Sequence, residues 1–381
     1  MAQDPVQVIP GDEPDAPPEP GLGLCLSGGG YRAMVFHIGV LWRLYETGLL
    51  GSLQRISSVS GGSITAGVLA TRWSALRFEG EVAKNLRELV ILPIQAFCHR
   101  TIDAPAIGLG TLLPGHRPSD LLQAEYAEHL YGKATLQDLP DRPRFVFNAT
   151  NLATGVSFRF SKPYAGDYRI GLIKSPVFPV ALAVTASSAF PPFLSPVVIS
   201  VDPSAFERVE GADLFDQVAY RKRLLLTDGG AYDNLGLETV WNRYETVLTS
   251  DAGAPFGLQL DPETAWHSQV LRALDIATNQ SRGLRKRILV DDYKRGIRKG
   301  AYWGIDTDIL EYGLADALPV LPSRIRELAG MRTRLDDFSD EEQGRLINWG
   351  YAVCDAAMRR YVTAGAGPPP AWPVPELRLD Q

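Results

Sequence analysis

Three stretches of this chain pair a reactive side chain with glycines. The first holds Ser60, in Arg55-Ile56-Ser57-Ser58-Val59-Ser60-Gly61-Gly62-Ser63-Ile64. There a strand-like run gives way to a helical pattern, with small residues on both sides of the serine. A nucleophile elbow needs this arrangement: the sharp turn pushes the hydroxyl outward, and the following amide is available to an oxyanion. The usual string is G-x-S-x-G; Ser58 stands where its first glycine would be and Gly62 keeps the last. Ser63 reads as a packing or capping residue and is the next candidate nucleophile. The second stretch is Asp228-Gly229-Gly230, directly after Leu224-Leu225-Leu226-Thr227. A carboxylate at the carboxyl end of a strand points into the crevice where open α/β sheets bind ligands. The third is Leu26-Ser27-Gly28-Gly29-Gly30-Tyr31-Arg32. Such a turn gathers backbone N–H groups at the positive end of a helix dipole, which suits a phosphate or the oxyanion of an acyl transfer.

Each motif alone also fits an ordinary glycine-rich turn. Their common placement at the ends of strand-like runs is what sets them apart. The glycine spacing matches neither G-x-G-x-x-G nor G-x-x-x-x-G-K-[ST], which argues against a nucleotide site. No histidine is an evident partner for a triad. His37 lies inside an apolar helix, His99 and His116 flank a loop, and His129 and His267 fall in helical segments. Arg32, just inside a helix start, opposes the dipole unless paired, so a structural role is favoured over contact with a lipid phosphate.

The elements that must position these groups alternate. Strand-like runs at Leu22–Leu26 and Arg55–Val59 alternate with helical patterns at 37–47 and 61–73, the order of a parallel sheet with packed helices, and Leu224–Thr227 and Thr246–Ser250 are further strand-like runs. Phe145–Thr150 and Val156–Phe160 read as an antiparallel hairpin. Residues 76–140 read as a helical and loop insertion, within which Thr101–Gly115 is apolar and aperiodic: a surface loop, or else a lid. Ser339 and Glu342 have capping-box spacing, and Leu346, Gly350, Val353 and Ala357 then share a helical face.

The 381 residues are 45 % apolar and 22 % charged, a globular composition. Lys+Arg 38 against Asp+Glu 44 leaves a net charge of −6, which excludes a dedicated nucleic-acid binder. Cys25, Cys98 and Cys354 are widely spaced and odd in number, so neither a metal cluster nor a disulfide framework is expected, and a reducing, cytoplasmic setting fits. The opening residues carry no signal-peptide pattern. The uncharged run 175–201 is broken by prolines and reads as a buried segment, not a membrane span. Residues 281–299 hold eight Lys/Arg against Asp291 and Asp292; this is either a solvated helix face or a peripheral contact with anionic lipid.

Taken together, Ser27–Arg32, Ser58–Gly62 and Asp228–Gly230 resemble the D-G-G-G-x-R loop, the G-x-S-x-G elbow and the D-G-[GA] motif of the patatin-like phospholipases. Asn148–Gly155 and Ala186–Phe193 are similar to further landmarks of that family, in order, over residues 21 to about 255. The departures are Ser27 for the loop's leading Asp and Ser58 for the elbow's first Gly. The resemblance implies an α/β fold: a single patatin-like domain over 21–363, with a mostly parallel central sheet flanked by helices. It would carry the helical insertion at 76–140 and a mainly helical C-terminal part at 256–363, between an acidic Pro-rich leader (1–20) and a Pro-rich tail (364–381). It implies a lipid acyl hydrolase of phospholipase A or lysophospholipase type, acting on a lipid ester through a Ser60–Asp228 dyad and an acyl-serine. Gly28, Gly29, Gly30 and Gly61 would hold the oxyanion, with no cofactor and no metal. The alternatives are an esterase or thioesterase on small soluble substrates, and a catalytically silent lipid-binding protein. Asp228 must then be at least partly desolvated and within hydrogen-bonding reach of Ser60. Head group, acyl position and oligomeric state are not legible.

Overall fold

The computed structural model describes residues 18–79, 82–112, 117–363 and 366–381. The acidic leader therefore lies outside the described residues up to 17, and Glu19 and Pro20 already belong to the first strand. In chain order the main sheet comprises β1 (Glu19–Leu26), β2 (Arg55–Ser58), β3 (Arg144–Asn151), β4 (Ser157–Ser161), β5 (Tyr164–Asp167), β6 (Gly171–Lys174), β7 (Val197–Ser200), β8 (Phe206–Glu207), β9 (Arg223–Asp228), β10 (Tyr244–Asp251) and β11 (Lys299–Gly304). The helices that matter for the site are α1 (Gly30–Glu46), α2 (Gly61–Arg72), α3 (Asp103–Leu112), α4 (Val180–Ser188), α5 (Trp266–Lys294) and α6 (Asp340–Tyr361).

Strands β3, β2, β1, β10 and β11 lie side by side and are parallel throughout. Successive residues of these strands are buried on both faces, as a helix-covered parallel sheet requires. The remaining strands are antiparallel; β3 and β4 form the expected hairpin in register from Val146–Ser161 to Thr150–Ser157. The fold is thus the expected mixed, mostly parallel α/β sheet. One local expectation is corrected. Of the stretch expected as an aperiodic loop over 101–115, Asp103–Leu112 is helical, and 113–115 lie outside the described residues. Within the C-terminal part, expected to be mainly helical, Lys299–Gly304 is a strand that extends the parallel sheet along β10. Its main chain pairs there because the β10 edge would otherwise leave a row of backbone groups unsatisfied.

Helix α6 starts at the predicted capping box, where Ser339 Oγ accepts from the Glu342 amide and Glu342 accepts from the Ser339 amide. It packs along α1, the helix that follows the triple glycine. The two backbones touch: a Cβ on Gly350 would overlap the Phe36 carbonyl, and one on Gly39 would overlap the Ile347 carbonyl. A buried ion-pair network closes the far end, with Arg43 and Arg359 both on Asp355. The C-terminal tail straps this helix. Asn348 donates to the carbonyls of Val374 and Leu377, and Trp372 is buried against the core. Residues 175–201 form α4 and its flanks inside the domain, and among the described residues no helix is long and apolar enough to cross a membrane.

Gly350 therefore offers a test in which two effects oppose. In an exposed helix Gly→Ala gains about 1 kcal/mol from propensity. Here the added methyl meets main chain, so Gly350→Ala is expected to destabilise by about 1–3 kcal/mol. Urea unfolding reads the sign; a raised midpoint would refute the close crossing.

Candidate active site

Two strands run toward each other along one edge of β3. β4 occupies the other edge from Val146 to Thr150. On the shared edge β2 pairs in parallel up to Ser58 opposite Phe147, and β9 pairs antiparallel up to Asp228 opposite Ala149. Only Asn148 separates the two registers. Asp228 does sit at the carboxyl end of its strand, but that strand enters antiparallel, from the opposite direction to the one that delivers the serine. This head-on approach is what brings Ser60 and Asp228 together across 168 positions of sequence.

Ser60 has φ 51° and ψ −122°, in the left-handed half of the map that a serine adopts only under constraint. It is the N-cap of α2, with its hydroxyl turned out of the helix. Two features hold the bend. The Ser60 amide donates to both the carbonyl and the hydroxyl of Ser187, each at 3.1 Å. Gly61 abuts the triple-glycine loop so closely that a Cβ would overlap the Gly30 carbonyl. The Ser187 carbonyl also accepts from the Gly229 amide at 3.2 Å, so one residue of α4 ties the serine turn to the aspartate turn. Asn148 completes the joint, donating to Ser57 Oγ and the Ser58 carbonyl at 2.9 Å each. Ser58 is accommodated by a buried hydroxyl chain: Ser63 Oγ donates to Ser58 Oγ at 2.9 Å and lies 2.8 Å from Ser187 Oγ. Ser63 is thereby a packing residue behind the elbow.

Asp228 is 4 % exposed and Ser60 8 %. Burial pushes the Asp228 carboxyl up to about 6, against the opposing pull of hydrogen bonds from the Gly230 amide and the Ser60 hydroxyl. The Gly230 amide lies 2.7 Å from Oδ1. A carboxyl raised in this way is better matched to proton transfer near neutral pH than an ordinary aspartate.

The glycine loop divides. The Gly28 amide donates to the Asn234 carbonyl at 3.1 Å, so this expected oxyanion donor is committed. The amides of Gly29, Gly30 and Gly61 have no backbone acceptor among the described residues. Ser27 ties the loop to the end of β10, its Oγ accepting from the Ala252 amide at 2.7 Å. That hydroxyl is what stands in place of the family's leading carboxylate.

Arg32 is 1 % exposed and does not face substrate. Its guanidinium donates to the carbonyls of Ala329, Met331 and Ala252, each at 2.8 Å, and burial pushes it down to about 10. The lipid-phosphate role is therefore withdrawn, and the structural one is met by carbonyls and not by an acid. His37 is likewise structural: it bonds Ser250 Oγ and the Ser27 carbonyl, and burial pushes it down to about 4. His116 lies outside the described residues; no other histidine lines the cavity described next.

A cavity of about 630 Å³ opens on Ser60 and Asp228. Gly29, Gly30 and Asn234 line it beside them. Ile107 of α3, Phe190, Phe193 and Leu194 supply an apolar wall, and Arg272, Asp275 and Arg282 of α5 supply a polar one. Asn234 and α5 carried no signal at the level of motifs, because neither a lone Asn nor a charged helix is distinctive. Among the described residues no His/Cys/Asp/Glu group is arranged to hold a metal. The basic run on α5 is partly committed: Arg282 faces Asp251, Arg285 faces Asp233, and Lys286 lies over the Tyr302 ring. Arg287, Lys294, Arg295 and Lys299 remain exposed.

Among solved structures, human GIVD cytosolic phospholipase A2 in complex with methyl γ-linolenyl fluorophosphonate is 15 % identical, with a TM-score of 0.48 over 90 % of this chain and 58 % of that one. VipD from Legionella pneumophila is 15 % identical, with a TM-score of 0.36 over 89 % of this chain and 66 % of that one. The type III effector ExoU is 14 % identical, with a TM-score of 0.31 over 91 % and 54 %. The chain thus spans little more than half the length of the human enzyme. No curated protein matches it. The model of one family, described as patatin-like phospholipase, matches residues 24–241, more than half of the chain. With the elbow, the glycine loop and the Asp-Gly-Gly turn all inside that span, the chain belongs to the patatin-like phospholipase family.

Proposed function

We propose that the protein is a lipid acyl hydrolase working through Ser60 and Asp228. The observation that carries this reading is the strained Ser60 turn, which shares an apolar-walled cavity with the buried carboxylate of Asp228. Ser60 Oγ attacks the ester carbonyl carbon while its proton passes to Asp228. The resulting oxyanion is held by the amides of Gly29, Gly30 and Gly61. Collapse breaks the bond to the leaving alcohol, which takes the proton from Asp228 and leaves an acyl-Ser60. Water then gives a proton to Asp228 and attacks the acyl carbon. The fatty acid departs, and the proton returns to Ser60.

The apolar wall of Ile107, Phe190, Phe193 and Leu194 favours a long acyl chain over a small soluble ester. Phe190 and Phe193 are about half exposed at the rim, where a chain leaving a lipid layer would enter. The domain takes in residues 21–363, with the tail as a strap. The three cysteines are free and buried, in keeping with a reducing, cytoplasmic setting. Contact with membranes is peripheral, through the exposed Arg287, Lys294, Arg295 and Lys299.

A fluorophosphonate probe should label the wild-type protein and not Ser60→Ala, and Asp228→Asn should lose about 10²–10⁴-fold in turnover of a long-chain ester. Undiminished labelling of Ser60→Ala would end the proposal. Because burial raises the Asp228 pKa, the group is neutral below about pH 6 and accepts no proton there. kcat/KM should fall tenfold per pH unit below about 6 and level off above it; a flat profile from pH 5 to 7 would remove Asp228 as the base. Binding to anionic vesicles should weaken as salt rises toward about 0.5 M, since exposed charges are screened. Binding that ignores salt would remove the basic face from the account.

A further inference from the structure

A phospholipid brings a charged head group to within a few bonds of its scissile ester. In this chain the arginine beside the glycine loop cannot meet it, since Arg32 is buried on three carbonyls. Two other arginines of the cavity are also engaged. Arg282 faces Asp251 and donates to the Ala254 carbonyl, and Arg334 is paired with Asp103 at 2.7 Å. Arg272 differs. Its guanidinium carbon lies 4.1 Å from the centre of the Phe256 ring, and both residues line the cavity that holds Ser60. Among the described residues its side chain has no hydrogen bond and no ion pair. A guanidinium stacked on a ring is held flat while its N–H edge stays available, the geometry that binds a phosphate through two parallel hydrogen bonds.

One turn along α5, Asp275 lines the same cavity. It too has no cation partner among the described residues, although residues three apart on a helix are neighbours. The cavity lining thus includes a cation and an anion that do not satisfy each other, together with the apolar Ile107, Phe190 and Phe193. A ligand complementary to that lining carries an apolar chain, an ester for Ser60, a phosphate and an ammonium.

We propose that Arg272 and Asp275 form a head-group subsite selecting zwitterionic glycerophospholipids, with Arg272 holding the phosphate and Asp275 the ammonium. This rests on the hydrolase reading for the position of the ester. Binding is measured in the Ser60→Ala background, where no turnover intervenes, with monomeric dihexanoylphosphatidylcholine and dihexanoylphosphatidylglycerol followed by calorimetry. Adding Arg272→Gln should raise Kd for both lipids about tenfold or more, and Arg272→Lys should fall between. Adding Asp275→Asn should weaken the choline lipid severalfold and leave the glycerol lipid unchanged or tighter. Glycerophosphocholine, which has the head group and no chains, should compete weakly and lose that competition with Arg272→Gln. Dissociation constants within twofold across these variants would overturn the subsite. So would a glycerol lipid bound as tightly as the choline lipid. Failure of Ser60 to react with the fluorophosphonate would instead overturn the hydrolase reading, and these constants would still decide the subsite.

Discussion

Everything in the site depends on one main-chain constraint: β2 and β9 end against each other on a single edge of β3. Neither strand could continue without colliding with the other, so both chains must turn out of the sheet at the same place. One turn carries Ser60 and the other Asp228. Ser187 then accepts hydrogen bonds from the Ser60 and Gly229 amides. Any shift of one turn is carried to the other through that residue. A serine at φ 51° is a local cost of order 1–3 kcal/mol, held in place because its surroundings over-determine it.

The second layer of support comes from the C-terminal part. α6 lies so close to α1 that the two helices meet through glycine, and α1 begins at Gly30. A Cβ on Gly30 would itself overlap the Thr333 carbonyl, so the glycine loop is boxed between the elbow and the segment preceding α6. Arg32 adds to this by gathering carbonyls from Ala252, Ala329 and Met331. A segment without a recognisable motif thus acts on the site through position alone. It fixes the amides that an oxyanion would meet.

The electrostatics follow from the same packing. Asp228 is buried and, among the described residues, no cation pairs with it, so desolvation dominates its titration. Had an arginine been adjacent, its carboxyl would have been held low and would be a weaker base. The arginines of the cavity are instead paired with Asp251 and Asp103 or stacked on Phe256.

How much of this could be read beforehand varies with the range of the interaction. The elbow, the triple glycine, the Asp-Gly-Gly turn, the hairpin and the capping box at Ser339 were all legible, because each depends on residues a few positions apart. Local backbone chemistry demands glycine at tight turns and small residues around a strained serine. Arg32 needed a partner at its helix start, and its partners are carbonyls brought from residues 220 and nearly 300 positions away. Likewise Gly28 looked equivalent to Gly29 and Gly30 until the Asn234 carbonyl took its amide. The antiparallel entry of β9, the strand at Lys299–Gly304 and the polar wall of α5 were decided by tertiary structure alone. Strand direction, edge pairing and cavity lining are properties of which distant segments meet. A hydrogen-bonded edge will accept any main chain that reaches it, so no side-chain pattern at one end announces the partner at the other.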